Sequence, residues 1–381
     1  MGNAIITMTI PIITLKGKKQ MRKSLPIFCI LFSALMTVSC HRGGELNNAR
    51  KEVTASLSGK VLQVKDFPAY RIFGSINGYL LCQADQDTSR VVFYRIEGDS
   101  LKYAAGIINK GRGPHEFIYV EFSLCKDTLF VSNSSPTGMS EIWGIPLNDI
   151  PHIGDINRWK AYKWSGQKIM TGLSFAKASG GKFIVAGGLT NTRHILSMVD
   201  FPKNQLNQFD LWPKDSTAAS LFSKQMVYLQ SHLAINDGKL FYACLEGRYM
   251  FITKIGEKSL GKPVYIYSHL PGYKARPDGN VDFDDDCEYG IFPYTTSRFI
   301  YAQLERNRKE IDASEEYKGY PWLYFDEIEV YDWKGKFIGN FRTDKPFSSF
   351  VVSPDDRFVY TLSIDLQTKE PEIIRYNLPK L

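Results

Sequence analysis

The sequence predicts an all-β fold, and within that class a six-bladed β-propeller with four-stranded antiparallel blades. Aromatic residues make up 13% of the chain, and Tyr and Phe favour half-buried, pleated surfaces. Short strand-like runs separated by turn signals recur from about residue 60 to the end, and helical periodicity is nearly absent. Many short strands in series are typical of a propeller, a sandwich or a barrel.

The grouping of these runs favours the propeller, with the sandwich and the barrel as alternatives. Tight-turn pairs such as Asn77-Gly78 and Asp237-Gly238 recur between the first and second strands of a group. The last group has three strands, and residues 61–64 supply a fourth, so we expect an N-terminal strand to close the last blade. The six groups are residues 71–108, 117–164, 171–212, 227–269, 291–342 and 347–377.

Residues 1–40 have the features of a secretory signal. Arg22 and Lys23 precede an apolar run over residues 25–38, which is shorter than the roughly 20 residues of a membrane span. A short buried helix or membrane anchor is the alternative. Residues 1–20 contain a second apolar stretch, so we expect translation to start at Met21, although one long signal would also explain them.

The end of this segment, residues 35–40, resembles a bacterial lipobox, which implies cleavage before Cys40 and attachment of lipid to its thiol. Residues 41–59 are polar and are interpreted as a tether, and residues 60–381 as the propeller domain. The protein would then contact the membrane through its lipid anchor, because several acyl chains together anchor a protein stably.

Charge and cysteine spacing exclude two classes of function. Five of the 47 basic residues and none of the 40 acidic ones lie in residues 1–40, which leaves a net charge of +2 on the mature chain. A nucleic-acid partner is therefore not expected, because it would need a clustered basic face. The remaining cysteines form no C-x-x-C pair, so no zinc site is expected, and Cys82 and Cys244 lie in apolar runs typical of buried thiols.

One motif joins the first and second strand groups: Gly111-Arg112-Gly113-Pro114-His115-Glu116-Phe117. It resembles the G-x-G-P-G-E-F junction of TolB-like six-bladed propeller lipoproteins of the Gram-negative envelope, with His115 in place of the usual Gly. Residues 328–335 and 353–357 are also similar to that family. The resemblance implies the same fold and a lipid-anchored protein of the cell envelope. The polar residues after Cys40 lack an acidic run, which favours the outer membrane, facing the periplasm.

The sequence offers a few candidate ligand-binding residues. The junction motif suits a corner between blades, with Glu116 accepting backbone N–H groups, whereas Arg112 and His115 would face a ligand if the loop reaches the channel mouth. Long connections over residues 270–290 and 305–324 leave the same face, and long loops are often functional. In the second of them, Tyr320 and Trp322 would belong to a recognition surface or pack the insertion.

An acidic run is the candidate cation site, with Asp282, Asp284, Asp286 and Glu288 as the oxygen ligands that Ca²⁺ would use. The EF-hand pattern fails, because Phe283 stands where Gly is required and Tyr289 where the last Glu is required. A solvated acidic loop is the alternative interpretation, and no other cofactor is expected.

The sequence contains none of the common catalytic motifs of zinc proteases, serine hydrolases or P-loop enzymes. The first hypothesis is therefore a binding or scaffold module, whose partners would be envelope proteins, peptides or glycans. The alternative is an envelope hydrolase or lyase acting on glycans or peptides, with its site near residues 282–288 or in the channel. Acidic, basic or His side chains that converge in the channel would favour the enzyme.

Overall fold

The structure is a computed structural model of the 381-residue chain. All of the described residues belong to one compact unit. The predicted start Met21, the predicted signal and Cys40 all lie outside the described residues. Within the described residues, no helix is both long enough and apolar enough to span a membrane. The structure describes residues 51–65, 67–84, 89–111, 113, 115–118, 120–133, 141–166, 170–189, 192–284, 291–304, 325–365 and 367–381.

The described residues are built almost entirely of short strands. The first strands are β1 (Ala55–Leu57), β2 (Gly59–Val64), β3 (Ala69–Ile76), β4 (Tyr79–Ala84), β5 (Val91–Glu97), β6 (Ser100–Ile107), β7 (Val120–Cys125), β8 (Thr128–Asn133), β9 (Glu141–Pro146) and β10 (Lys160–Lys163). Two 3-10 turns, Ile150–His152 and Ile156–Arg158, connect β9 to β10. The middle of the chain forms β11 (Met170–Lys177), β12 (Lys182–Gly188), β13 (Leu196–Asp200) and β14 (Gln205–Gln208).

One α-helix precedes the next strands: α1 spans Leu221–Leu229. It is followed by β15 (Ser231–Asn236), β16 (Lys239–Cys244), β17 (Arg248–Lys254), β18 (Val264–His269), β19 (Tyr273–Ala275) and β20 (Val281–Phe283). The last strands are β21 (Ile291–Thr295), β22 (Phe299–Leu304), β23 (Phe325–Asp332), β24 (Phe337–Phe347), β25 (Ser349–Val352), β26 (Phe358–Ile364) and β27 (Pro371–Asn377).

Strands that follow one another in the chain pair antiparallel, which produces a series of small sheets. Separate four-stranded sheets are formed by β7–β10, β11–β14 and β15–β18. Strands β21–β24 form a similar sheet, and β1 extends it by pairing parallel with β24. An eight-stranded sheet contains β25–β27, β2 and β3–β6, and β19 pairs with β20 in a separate hairpin. The fold is thus an all-β propeller.

The sheets correct the prediction of six four-stranded blades, because only four of them stand as separate blade-like sheets among the described residues. Four separate sheets have four or five strands, and the remaining larger sheet has eight. The physical reason is β2, which pairs on both sides: antiparallel with β27, where Leu62 faces Ile373, and parallel with β6, where Val64 faces Leu101. The N-terminal strand therefore pairs with the last strand, as the sequence predicts, and also joins it to the first group.

Two local elements differ from the sequence prediction. Residues 55–57, assigned to the tether, form β1, and Leu57 is buried there. The start of the fourth strand group, from residue 227, belongs to α1 instead. This helix begins after Ser220, whose hydroxyl accepts the N–H of Ser223 at 3.0 Å, and such N-caps stabilise a first helical turn.

The first strands of the groups surround a common axis. Strand β11 contacts β7 and β15, β21 contacts β15 and β25, and β25 contacts β3. Phe73 on β3 stacks on Phe122 on β7 with ring centroids 4.4 Å apart. The core lies between neighbouring sheets, where apolar side chains of both are buried; Phe130, Phe183 and Val199 are an example. We call the first strand of each group its inner strand. The first residues of the inner strands lie at one end of the axis, which we call the axial mouth.

Candidate functional site

Three ionisable side chains converge at the axial mouth, and we call them the axial cluster: Arg71 on β3, Glu121 on β7 and His232 on β15. Each lies at the second or third position of its inner strand. All three are half-buried. Inner strands of the propeller thus bring together groups that are far apart in the sequence.

Local backbone geometry helps to position Arg71. The pairing of β3 with β4 shifts register between Ala69 and Arg71 and again between Ile72 and Gly74. Such irregularities bend a strand and redirect its side chains. Arg71 therefore lies in a segment that departs from regular alternation.

Burial and charge act in opposite directions on Arg71 and Glu121. Burial lowers the pKa of Arg71, and the negative charge of Glu121 partly offsets this effect. A guanidinium stays protonated at neutral pH under such a shift. Burial also raises the pKa of Glu121 to about 7, against the opposing attraction of Arg71. Near neutral pH, Glu121 is therefore present in both its protonated and its ionised form.

His232 completes the cluster as a neutral group. Burial lowers its pKa to about 3, and the positive charge of Arg71 acts in the same direction. Its ring packs against Phe292 on β21 with centroids 5.3 Å apart. The Nε2 atom is buried and has no hydrogen-bond partner within the part of the chain that the structure describes. Buried polar atoms are nearly always paired, so this nitrogen points to a missing partner.

Polar contacts link the inner strands that carry the axial cluster to other inner strands around the axis. The N–H of Ile72 donates to Ser349 Oγ at 3.0 Å, and the N–H of Ser75 donates to the Tyr294 hydroxyl at 3.2 Å. Ser174 Oγ donates to the carbonyl of Ser231, next to His232, at 2.7 Å. Because these bonds join inner strands that do not pair with each other, they fix the relative positions of the strands that carry the axial cluster.

The junction motif forms a closed corner after β6. The N–H of Gly113 donates to Glu116 Oε2 at 2.8 Å, and the N–H of Glu116 donates back to the carbonyl of Gly113 at 3.1 Å. A Cβ at Gly111 would collide with the Glu116 carboxylate, which explains the glycine there. These contacts give Glu116 the backbone-binding role expected of a blade corner.

His115 keeps the backbone conformation that glycine favours, with a φ of 63°. Its ring meets Trp143 edge to face at 4.6 Å between centroids, and Trp159 at 6.1 Å. The described contacts of His115 are therefore packing contacts. Arg112, Tyr320 and Trp322 lie outside the described residues.

The described part of the acidic run pairs with basic side chains. Asp282 accepts from Arg276 Nε at 2.8 Å, and Asp284 faces Lys274 at 3.9 Å. Asp286 and Glu288 lie outside the described residues. Across the described ranges, no group of three or more His, Cys, Asp or Glu side chains could hold a metal ion.

Sequence reasoning missed the axial cluster because its members come from three different strand groups and share no local motif. One signal was available, since Arg71 and Glu121 are charged residues in runs predicted as the first strands of their groups. The thiols of Cys82 and Cys244 are buried and form no disulfide, which agrees with the sequence prediction.

Comparison with known proteins gives similarity in fold alone. No protein-family model matches the chain, and no curated protein sequence matches it. Among solved structures, the β-propeller domain of Myceliophteria thermophila Cps50 (Swd1) is 11% identical, with 84% of this chain and 100% of that chain covered and a TM-score of 0.41. Kuenenia stuttgartiensis hydrazine synthase is 12% identical, with 82% and 96% covered and a TM-score of 0.40. The RRP9 WD40 repeats are 8% identical, with 85% and 79% covered and a TM-score of 0.39.

Proposed function

We propose that this chain is a β-propeller binding module whose ligand is held at the axial mouth. The observation that carries the proposal is the axial cluster, in which a guanidinium, a carboxyl group near its titration point and an unpartnered imidazole nitrogen converge. Placing ionisable groups away from water is costly unless they are paired. A ligand that pairs with them explains why such residues line the axis.

In this proposal the ring has six four-stranded blades. The eight-stranded sheet then divides between β2 and β6, because that parallel contact involves two residue pairs, whereas β2 pairs with β27 through four. Strand β2 accordingly belongs to the last blade, and β3–β6 form the first.

The proposed cellular location follows from the sequence. The protein would be a lipoprotein of the TolB-like type, anchored through Cys40 in the cell envelope and facing the periplasm. Mass spectrometry of the N-terminal peptide from the membrane fraction tests this location. We expect the peptide to begin at an acylated Cys40. An unmodified peptide that begins at Met1 or Met21 would contradict it.

The binding proposal is tested with arrays of oligosaccharides and envelope-derived peptides. We expect a subset to bind the wild-type protein and to be lost with Arg71→Met. The matched control is Arg95→Met, because Arg95 is an exposed residue of the first group that pairs with Glu97. Equal binding by both variants would place the ligand elsewhere.

A hydrolase or lyase acting on glycans or peptides is the second candidate, and the same cluster favours it. A carboxyl group that titrates near neutral pH can donate and accept a proton, and a neutral imidazole can act as a base. Arg71 could stabilise negative charge on a reacting group. To separate the enzyme from the binding module, ligands identified on the arrays are incubated with the wild-type protein or with Glu121→Gln and then analysed by mass spectrometry. Turnover that Glu121→Gln abolishes would establish the enzyme, and ligands recovered intact would support the binding module.

A further inference from the structure

We infer that the axial cluster is a receptor for a single carboxylate group, which Arg71, Glu121 and His232 hold together. This inference rests on the proposed binding function and names the chemical class of its ligand. The geometry that carries it is twofold: the three side chains stand at the second or third positions of inner strands that surround one axis, and the buried Nε2 of His232 has no partner among the described residues.

The charge of the cluster requires an anion. Arg71 stays charged at neutral pH, His232 is neutral, and Glu121 neutralises Arg71 only to the extent that it is ionised. A partly buried guanidinium with an incomplete counter-charge favours an incoming anion. The planar fork of a guanidinium matches a carboxylate, with which it forms two parallel hydrogen bonds.

A monoanion fits this cluster better than a phosphate dianion. The cluster supplies one guanidinium, and any ionised Glu121 beside it would repel a second negative charge. A protonated Glu121 can instead donate its O–H to a carboxylate oxygen, as paired carboxyl groups that share a proton do. The buried Nε2 of His232 can donate to the other oxygen in the tautomer that places the proton there.

The surroundings also suit an organic carboxylate. Phe292 packs against His232 and is half-buried at the same mouth, so it offers an aromatic wall to the body of the ligand. Aromatic rings beside a polar anchor are common in small-molecule sites. An aromatic monocarboxylate such as benzoate is therefore a suitable probe.

Proton uptake follows from the two states of Glu121. The anion is repelled by ionised Glu121 and hydrogen-bonded by its protonated form, so the affinity decreases as pH rises above 7. The charge that acts on this group is that of Arg71 from β3, and Arg71 in turn interacts with Tyr70 and with His232 from β15. A one-proton linkage predicts a loss of about tenfold in affinity between pH 6 and pH 8.

The test is calorimetric titration of the purified protein with benzoate, benzamide and inorganic sulfate, a dianion throughout this range, at pH 6, 7 and 8. We expect benzoate to bind, with affinity about tenfold weaker at pH 8 than at pH 6, and the other two probes to bind at least tenfold more weakly at pH 6. Glu121→Gln should bind benzoate without this pH dependence. Arg71→Lys keeps the positive charge but loses the planar guanidinium that forms two parallel hydrogen bonds, so it should weaken binding. Arg95→Lys should leave binding unchanged.

The contrary outcomes separate this inference from the proposed function. Equal binding of benzoate and benzamide, or of benzoate and sulfate, would overturn carboxylate recognition and leave the binding module intact. Absence of benzoate binding overturns the inference, and the oligosaccharide and peptide arrays then decide on the function independently. Thermal unfolding curves of each variant show whether a loss of binding reflects loss of folding, and in that case Arg71→Lys replaces Arg71→Met.

Discussion

Glu329 and Glu121 are both carboxylates that the propeller withdraws from bulk water, but the fold treats them differently. Glu329 lies on β23, the third strand of its group, and is 1% exposed. Its Oε2 accepts hydrogen bonds from the hydroxyls of Tyr267, at 2.7 Å, and Tyr331. Its Oε1 accepts the backbone N–H of Lys51 at 3.3 Å. The protein therefore satisfies this carboxylate within the fold.

Glu121 lies on an inner strand and faces the axis. Burial raises its pKa, and the long-range attraction of Arg71 does not compensate for that burial. Burial and the neighbouring Glu329 raise the pKa of Tyr267 and Tyr331, which stay protonated as donors. The comparison teaches that the fold pairs the Glu329 carboxylate with hydroxyl donors, whereas at the axial mouth burial leaves Glu121 with a raised pKa and the Nε2 atom of His232 without a partner among the described residues. Such groups are the ones expected to bind ligand.

The largest effect is expected at the satisfied carboxylate. Glu329→Ala should lower the free energy of unfolding by about 3 kcal/mol, because two buried tyrosine hydroxyls lose a charged acceptor. Urea denaturation at pH 7 measures this loss. The control is Glu97→Ala, which removes an exposed carboxylate and should leave the midpoint unchanged. Equal midpoints for all three proteins would refute the structural role of Glu329.

The Glu121→Gln substitution should raise the free energy of unfolding at high pH, whereas Glu329→Ala lowers it. The folded-state pKa of Glu121 is raised from 4.5 to about 7, so its contribution to stability is complete below pH 4.5 and is lost as pH rises through 7. The variant should therefore be more stable than the wild type at pH 8, by about 2 kcal/mol after allowance for water in the channel. Urea denaturation at pH 5 and pH 8 checks it, and a destabilised variant at pH 8 would contradict the account.

His232 should affect the acidic side of the stability profile. Its folded-state pKa is lowered from 6.5 to about 3, so its stabilising contribution is present above pH 6.5 and is lost as pH falls toward 3. His232→Gln lacks this titration. As pH falls from 7 to 5, the wild type should therefore lose about 1 kcal/mol of stability relative to the variant. Thermal unfolding at both pH values measures the change, with the exposed His152→Gln as a control that should follow the wild type.

The smallest effect is expected at the junction corner. Glu116→Ala removes the acceptor of the Gly113 N–H and should cost less than about 1 kcal/mol of stability. Because this residue closes a loop, benzoate affinity should stay unchanged, in contrast to Arg71→Met. Calorimetric titration of both variants checks the contrast, and lost binding in Glu116→Ala would extend the site to the corner.

Local signals made the strands and turns predictable. Asn77 and Gly78 adopt positive φ values of 49° and 79° between β3 and β4, as an Asn-Gly hairpin requires. Asp237 and Gly238 do the same between β15 and β16. The parallel pairing of β1 with β24 has no such signal, because three residues pair with a strand that lies far along the chain.

The site was harder to predict because it depends on closure of the ring. The junction motif suggested His115 and Glu116 as ligand-binding residues, but their described contacts are structural. A local motif of this kind reflects the backbone conformation of its own loop. Arg71, Glu121 and His232 become neighbours only when their inner strands meet around the axis. Sequence patterns show which strand comes first in each group. They do not show which side chains of β3 its register shifts turn toward the axial mouth.

The titration of the Glu121 carboxyl group tests the central claim most directly. Carbon-detected NMR between pH 4 and pH 9 follows its side-chain carboxyl, which Glu121→Gln identifies by the missing resonance. The account predicts a pKa near 7 in the free protein and a higher pKa when benzoate is bound. A pKa near the ordinary 4.5 that benzoate does not change would contradict it.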